Sequence, residues 1–161
     1  MSRRHLTIMT IDDHRAAARE WTAVHRSVAE FDNITRSALG VPDRLHTNVK
    51  RIHKAIERIL VGMREVEART LPSDAGRGSE WLAAIPVQPA TPARGPFRLL
   101  TIDDHITCAR LLGPSQPAIH RFLDITSLRR YLPVRILDDA IRIDHLVQVV
   151  RCEMEDVQFY T

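Results

Sequence analysis

Hydrophobic residues near the start of the chain follow the spacing of an α-helix. They recur in steps of four and three along one face, at Ala17, Trp21, Val24, Val28 and Phe31. Thr10 precedes this stripe, and Asp13 stands three residues after Thr10. This pair resembles a capping box, in which each side chain accepts a hydrogen bond from the other residue's backbone. The pattern predicts a long amphipathic helix that begins at Thr10.

A second hydrophobic stripe runs unbroken over about six helical turns. Its members are Leu45, Val49, Ile52, Ile56, Ile59, Met63 and Val66. Gly40 and Pro42 separate it from the first stripe, and Asp43 is the predicted N-cap of the second helix. Two long amphipathic helices joined by a short loop predict an antiparallel hairpin over residues 1–70.

The apolar stripe of the second helix is wider than the first helix alone can cover. Leu60 and Val61 lie next to Ile59 in the sequence and broaden the apolar arc. Three partners could cover it: the C-terminal part of the chain, a second copy of the chain, or another protein. Packing within the chain is favoured, because it avoids the entropy cost of association.

The segment 71–96 has the composition of a linker. It holds five of the nine prolines and three of the six glycines. Proline lacks a backbone donor and is unfavourable both inside a helix and in a central strand. Within this segment, Ser79 can begin one helical turn that presents Trp81 and Leu82 to the rest of the protein.

The C-terminal segment 97–161 carries start and stop signals for several helices. Thr101 opens a short helix that ends at Gly113, Ser115 opens a second, and Thr126 opens a third that stops before Pro133. Another stripe follows at Ile136, Ala140, Ile143, Val147, Val150, Met154 and Val157. It predicts a final helix, although its β-branched residues also fit a strand.

The predicted fold is therefore all-α. It consists of a long antiparallel helical hairpin over residues 1–70, a linker over residues 71–96, and a compact helical lobe over residues 97–161. With 161 residues the chain is long enough to bury a core without disulfides or metals. An α+β fold with a short strand in the C-terminal lobe is the alternative.

One five-residue sequence, Thr-Ile-Asp-Asp-His, occurs at residues 10–14 and again at residues 101–105. A chance match of this length has odds of about one per cent. Three explanations stay open: both copies are helix caps, the chain contains an ancient duplication, or the two copies converge as one site. In the third case carboxylates and imidazoles would hold a divalent metal or exchange protons. The residues of that site would be Asp12, Asp13, His14, Asp103, Asp104 and His105.

The sequence around both copies resembles the first strand and acidic pair of response-regulator receiver domains, where an apolar run ends in two aspartates. The resemblance implies that Asp103 and Asp104 would bind magnesium. It covers about nine residues each time. The 65 residues from Phe97 onward are too few for a five-stranded receiver, and no lysine follows Lys54 to supply that family's basic partner. We do not assign the chain to this family.

The composition is that of an ordinary globular protein, with 44% hydrophobic and 27% charged residues. No apolar run approaches the roughly 20 residues of a membrane span, so no membrane partner is expected. Cys108 and Cys152 lie in apolar segments outside any CxxC motif, which predicts buried thiols in a reducing compartment. Because the first residues lack the pattern of a secretory signal, we expect a cytoplasmic location.

The net charge is only +3, but arginine supplies 21 of the 23 basic residues. Arginine suits phosphate contacts. Four basic residues form a ridge on the second helix, opposite its apolar stripe, at Lys50, Arg51, Lys54 and Arg58. Nucleic acid or another polyanion could bind along this basic ridge, although a solvated surface is the simpler interpretation.

No motif supports catalysis or a cofactor: the sequence has no GxSxG, no phosphate-binding glycine loop and no Cys–His pair at a catalytic spacing. We expect a non-catalytic binding or regulatory module that acts through protein–protein association, with a homodimer as one form. The alternatives are a metal-dependent hydrolase that uses the two Asp-Asp-His clusters, and a nucleic-acid-binding protein. The predicted core and interface residues are Trp21, Val24, Val28, Phe31, Val49, Ile52, Ile56, Ile59 and Met63.

Overall fold

The computed structural model describes residues 6–71, 81, 98–157 and 159–160. The predicted all-α class is confirmed, since helices form most of the described chain. The helices are α1 (Ile11–Arg36), α2 (Asp43–Thr70), α3 (Ile102–Leu112), α4 (Ser115–Thr126) and α5 (Val134–Met154). Apart from its first residue and Trp81, the predicted linker lies outside the described residues.

Three short parallel strands form a small sheet. They are β1 (Ala38–Leu39), β2 (Arg98–Thr101) and β3 (Phe159–Tyr160), and they pair in the order β1-β2-β3. An additional parallel bridge joins Thr7 to Arg129. The short strand in the alternative prediction for the C-terminal lobe is therefore present, but it adds only an edge to a helical fold.

Both copies of the repeated five-residue sequence begin a helix, as the first explanation predicted. The Thr10 backbone N–H donates to Asp13 at 2.9 Å, and the Asp13 N–H donates back to the Thr10 hydroxyl at 3.2 Å. Thr101 and Asp104 form the same two hydrogen bonds at the same distances. The capping-box predictions for α1 and α3 are confirmed, and each box satisfies two backbone donors that the helix itself leaves unpaired.

Two helix starts were predicted wrongly. Thr126 is the last residue of α4 and caps no third helix, because its hydroxyl donates to the Phe122 carbonyl at 2.8 Å. The chain then leaves the helical conformation, with positive φ at Leu128 and Tyr131. At the start of α2 the N-cap is Pro42, and no side chain caps this helix.

The hairpin and the C-terminal lobe share one core. The closest packing is between α2 and α5 and between α1 and α4, so each helix of the hairpin lies against a helix of the lobe. The C-terminal lobe therefore covers the wide apolar stripe. The predicted interface residues all lie in this core with exposed fractions of 1% or less, at Trp21, Val24, Val28, Phe31, Val49, Ile52, Ile56, Ile59 and Met63. A binding surface has to be sought elsewhere on the chain.

The internal repeat extends well beyond the five-residue sequence. Thr101 lies 91 residues after Thr10, and the same shift aligns residues 10–70 with residues 101–161 without a gap. Seventeen of these 61 pairs are identical, where unrelated sequences of this composition would share about four. The shift also aligns every residue of the α2 stripe with a residue of the α5 stripe. The chain therefore contains two copies of one unit. We call residues 10–70 the first unit and residues 101–161 the second unit.

The contacts between the two units obey the same 91-residue relation. Arg98 N–H donates to the Ser37 carbonyl at 3.2 Å, and the counterpart bond, from Thr7 to Leu128, is also 3.2 Å long. The segment before α3 thus pairs with the segment after α1, and the segment before α1 pairs with the segment after α4. Such reciprocal contacts are those of a twofold symmetric dimer.

The same reciprocity holds for two ion pairs that α2 forms with α5 and with the residues just after α5. Arg44 contacts Asp156 at 3.3 Å, and its counterpart Arg135 contacts Glu65 at 3.3 Å. The two units are thus arranged like the subunits of a twofold symmetric dimer.

No helix in the described part of the chain has the length and the apolar character needed to cross a membrane.

Candidate functional site

The first unit buries a tryptophan from the predicted linker against the start of α1. Trp81 is fully buried, and its Nε1–H donates to His14 Nδ1 at 2.9 Å. His14 Nε2 lies 2.9 Å from the Thr70 hydroxyl, which itself donates to the Val66 carbonyl at 2.8 Å. An indole N–H can only donate, so His14 Nδ1 is the acceptor and its Nε2 carries the proton. This histidine is therefore a neutral anchor for Trp81.

The second unit is open at the corresponding place. A groove of about 320 Å³ lies between α3 and α5, and we call it the α3–α5 groove. It is lined by His105, Cys108, Ala109, Leu112, Gln148, Arg151, Cys152, Met154 and Glu155. Through the 91-residue shift, His105 is the counterpart of His14, the residue that holds Trp81 in the first unit.

The two units differ here in how completely they bury the same positions. Ala18 is buried in the first unit, whereas its counterpart Ala109 is exposed. Leu60 is likewise buried, whereas its counterpart Arg151 is exposed and donates to Gln116 at 2.8 Å. The place that is closed over in the first unit is thus accessible in the second.

The groove has an apolar floor and a polar rim. Cys108 and Leu112 have exposed fractions of 1%, and Met154 is also buried. Gln148, Arg151 and Glu155 are exposed. Polar and apolar atoms contribute about equally to the lining, and the volume is at the lower end of the 300–1,000 Å³ that is usual for ligand sites.

The two cysteines line this groove but differ in chemistry. Cys108 is buried, and burial, together with the negative charge of Asp104, raises its pKa to about 12. Cys152 is exposed, so the prediction that both thiols are buried was wrong for this residue. Cys152 follows the exposed Arg151 and lies two residues after the buried Val150, so it falls on the solvent side of α5. Because only a thiolate is nucleophilic, Cys108 is inert at neutral pH.

We expect one thiol per folded chain to react rapidly with an aromatic disulfide reagent at pH 8. The reactive thiol is Cys152, and the Cys152→Ser variant should lose the fast phase. In urea both thiols should react. Fast modification of two thiols in the folded wild-type protein would contradict the burial of Cys108.

The two Asp-Asp-His clusters have other roles in the structure. The carboxylates of Asp13 and Asp104 accept the capping hydrogen bonds and also pair with Arg129 at 3.2 Å and Arg98 at 3.0 Å. Asp12 and Asp103 are exposed. In residues 6–71, 81, 98–157 and 159–160 the structure contains no group of three His, Cys, Asp or Glu residues placed to hold a metal ion.

The basic ridge, formed by Lys50, Arg51, Lys54 and Arg58, lies on the exposed surface of α2 as expected. Arg58 forms two hydrogen bonds with Asp139 of α5, at 3.0 and 3.1 Å. A shallow second groove of about 620 Å³ borders the ridge, but Glu57 and Asp139 line it together with the basic residues. The mixed charge weakens the attraction for a polyanion.

This second groove also follows from a difference between the units. Gly62 lines it, and the counterpart of Gly62 is Glu153. The Glu153 side chain accepts a hydrogen bond from Asn48 at 2.6 Å and so takes up the corresponding space in the other unit.

Comparison with protein-family models, curated proteins and solved structures finds no match to this chain. The α3–α5 groove is thus defined by the chain's own geometry and internal repeat.

The residues of the groove were not predicted as a site. A signal for them was present in the sequence, because the repeated five-residue sequence marks the 91-residue shift. Extending that shift would have aligned His105 with His14. What the sequence could not show is that Trp81 binds His14.

A buried histidine and a half-buried one lie away from the groove, between α1 and α2. His25 is 5% exposed, and its ring centroid is 5.4 Å from that of His53. Burial and the neighbouring His53 lower the pKa of His25 to about 4. Burial also lowers the pKa of His53. The negative charges of Asp32 and Glu57 oppose this shift, and the positive charge of Arg36 adds to it.

The stability of the protein should therefore fall between pH 6.5 and pH 4. In this range the unfolded chain binds protons at His25 and His53 that the folded chain excludes, so unfolding becomes more favourable as the pH decreases. Urea midpoints at pH 7.5 and pH 5 measure this loss. The His25→Gln variant should show a smaller loss than the wild type, and an equal or larger loss would contradict the lowered pKa.

Proposed function

We propose that this protein is a non-catalytic binding module that holds a short segment of a partner protein in the α3–α5 groove. The observation that carries the proposal is Trp81. In the first unit, the chain itself supplies a side chain that is fully buried against His14. The second unit has the counterpart histidine and an open groove beside it.

The composition of the groove supports a polypeptide ligand. Peptide-binding sites combine a buried apolar centre with a polar rim. Here Cys108, Leu112 and Met154 provide the apolar centre, while Gln148 and Glu155 provide polar atoms at the edge. Ile102 and Ile106, which are 55% and 43% exposed on α3, extend the apolar surface beyond the groove. Exposed apolar side chains grouped in this way are typical of interaction sites.

The groups in and beside the groove do not favour catalysis. The Cys108 thiol is protonated at neutral pH because burial raises its pKa to about 12. The nearby Asp104 carboxylate is held by the capping hydrogen bonds and by Arg98. A nucleophile or general base has to be able to reach the substrate in its reactive form, and neither group meets that condition.

Selection from a random peptide library displayed on phage would test the proposal. The wild-type protein should enrich peptides whose binding is lost in the Cys152→Trp variant, which places a large side chain at the rim of the groove. The matched control is Val61→Trp, at the counterpart position on α2, which is also exposed. Circular dichroism would establish that both variants remain helical.

The expected result is a set of peptides that bind the wild type and the Val61→Trp variant with micromolar affinity and bind the Cys152→Trp variant at least tenfold more weakly. If no peptides are enriched, or if the enriched peptides bind all three proteins equally, the groove is not the binding site.

A further inference from the structure

We propose that His25 and His53 form a binding site for a divalent transition-metal ion of the kind that prefers imidazole ligands, with Zn²⁺ as the representative ion. The site lies at the interface between α1 and α2. The proposal goes beyond the proposed function and does not depend on the α3–α5 groove. It is carried by the geometry of the two imidazoles and by the charges around them.

The first observation is the distance between the two rings, which we call the His25–His53 pair. Their centroids lie 5.4 Å apart, and the ring planes are tilted by 57°, so the rings do not stack face to face. A zinc ion bound tetrahedrally by two imidazole nitrogens at about 2.0–2.1 Å would hold the ring centroids about 5 Å apart. The last torsion of a histidine side chain is broad, so small rotations can bring one nitrogen of each ring to a common position. The spacing of the pair therefore fits one shared ion.

The second observation is that neither imidazole has another polar role in the described part of the chain. Buried polar groups normally form hydrogen bonds, and a group that does not calls for an explanation such as a bound ion or water. His25 is 5% exposed, yet neither its ring nor that of His53 hydrogen-bonds to a described residue. His14, which is also buried, instead bonds to both Trp81 and Thr70.

The third observation is the charge around the pair. The carboxylates of Asp32 and Glu57 act on His53 as negative charges, and Arg36 acts on it as a positive charge. Asp32 is paired with Arg36, whereas Glu57 is exposed and forms no ion pair with a described residue. Glu57 lies four residues after His53 on the same face of α2, so its carboxylate can turn toward an ion held by that ring. Two histidines and one carboxylate are a ligand set that zinc uses in proteins.

The imidazoles are also in the form that binds a metal ion. Burial lowers the pKa of His25 to about 4 and lowers the pKa of His53 as well. Metal ions bind neutral imidazole, so at neutral pH the ion does not have to displace a proton from either ring. His53 is only half-buried, and its side of the pair gives the ion a route from solvent.

The expected affinity follows from the number of ligands. In the described ranges no three His, Cys, Asp or Glu side chains are grouped for a metal ion, so the pair supplies two ligands and Glu57 becomes the third only when it turns inward. Water would take the remaining position. Structural zinc sites have four protein ligands, so this site should bind Zn²⁺ more weakly than they do, with micromolar affinity.

The internal repeat provides a comparison within the same chain. The counterparts of the pair in the second unit are Gln116 and Asp144. Gln116 accepts a hydrogen bond from Arg151 at 2.8 Å, and Asp144 lies 3.3 Å from His120. The second unit thus has no imidazole pair at this place. A His25→Gln variant gives the first unit the side chain that the second unit already carries.

Isothermal titration calorimetry of the full chain with Zn²⁺ at pH 7.5 tests the proposal. The Cys152→Ser variant serves as the starting protein, because an exposed thiol can itself bind zinc. We expect one site, which the further substitutions His25→Gln and His53→Gln should each weaken at least tenfold. The matched control is His145→Gln, which removes an exposed histidine of α5 and should leave the affinity unchanged. Mg²⁺ prefers oxygen ligands and should give no binding heat.

Two results would overturn the proposal. The first is the absence of saturable Zn²⁺ binding by the Cys152→Ser protein. The second is binding that survives both His25→Gln and His53→Gln, or that His145→Gln weakens equally, which would assign the zinc to surface histidines. Glu57→Gln should also weaken the binding, and an unchanged affinity would remove this carboxylate from the ligand set.

Discussion

Replacing Trp81 with alanine should lower the free energy of unfolding by about 3–5 kcal/mol, the usual cost of removing a buried aromatic side chain. In a chain of this size that loss corresponds to a decrease in Tm of about 10–15 °C. The reason is the complete burial of Trp81 and its hydrogen bond to His14. Thermal unfolding followed by circular dichroism measures the change.

A matched pair of substitutions separates the hydrogen bond from the burial. In Trp81→Phe most of the ring is kept, but His14 Nδ1 loses its donor. In Trp21→Phe the lost N–H makes no hydrogen bond to any described residue. Since an unsatisfied buried polar group costs about 1–3 kcal/mol, Trp81→Phe should be more destabilising than Trp21→Phe by that amount. Equal effects would show that the bond to His14 contributes nothing.

The second large effect concerns two phenylalanines related by the internal repeat. Phe31 of α1 and Phe122 of α4 are counterparts, and both are fully buried. Phe122 packs edge to face against Trp21, with ring centroids 5.1 Å apart. Each Phe→Ala variant should lose about 3–5 kcal/mol, because each leaves a cavity in the shared core.

The two variants should also unfold in the same manner. Since the core is shared, a cavity in either unit should shift one common transition to lower urea concentration without dividing it. Urea titrations followed by circular dichroism would show this. If a variant lost only half of its helical dichroism signal at low urea, the result would contradict a shared core.

Much of the fold could be predicted because hydrophobic spacing reports which face of a helix is buried. The steps of four and three from Leu45 to Val66 predicted a helix that the structure confirms as α2. The same spacing from Ile136 to Val157 predicted α5, and there the periodicity prevailed over the β-branched residues because α2 buries this stripe along its length. The capping boxes could be predicted because their hydrogen bonds are local.

The features that could not be predicted depend on contacts between the two units. The region after α4 was predicted to be helical from its own residues, but its backbone bonds instead to the first unit: Arg130 N–H donates to the Thr7 carbonyl at 2.8 Å. Similarly, the apolar stripe of the hairpin is part of the core because α4 and α5 cover it. Local sequence shows that a face is apolar, but it does not show which element covers it.

The α3–α5 groove illustrates the same point for the candidate site. Its residues come from α3 and from α5, more than 30 positions apart in the sequence. None belongs to a recognised motif. The groove becomes apparent only when the second unit is compared with the first, where Trp81 occupies a buried place beside the counterpart histidine.

The central claim of this account is that two copies of one unit share a single core. Urea unfolding of the wild-type protein, followed in parallel by tryptophan fluorescence and far-ultraviolet circular dichroism, tests it most directly. Trp21 belongs to the first unit and Trp81 packs against His14 of that unit, whereas helices of both units contribute to the dichroism. A shared core predicts that the two signals change at the same midpoint with the same steepness. Separate midpoints would show that the two halves unfold independently and would contradict the claim.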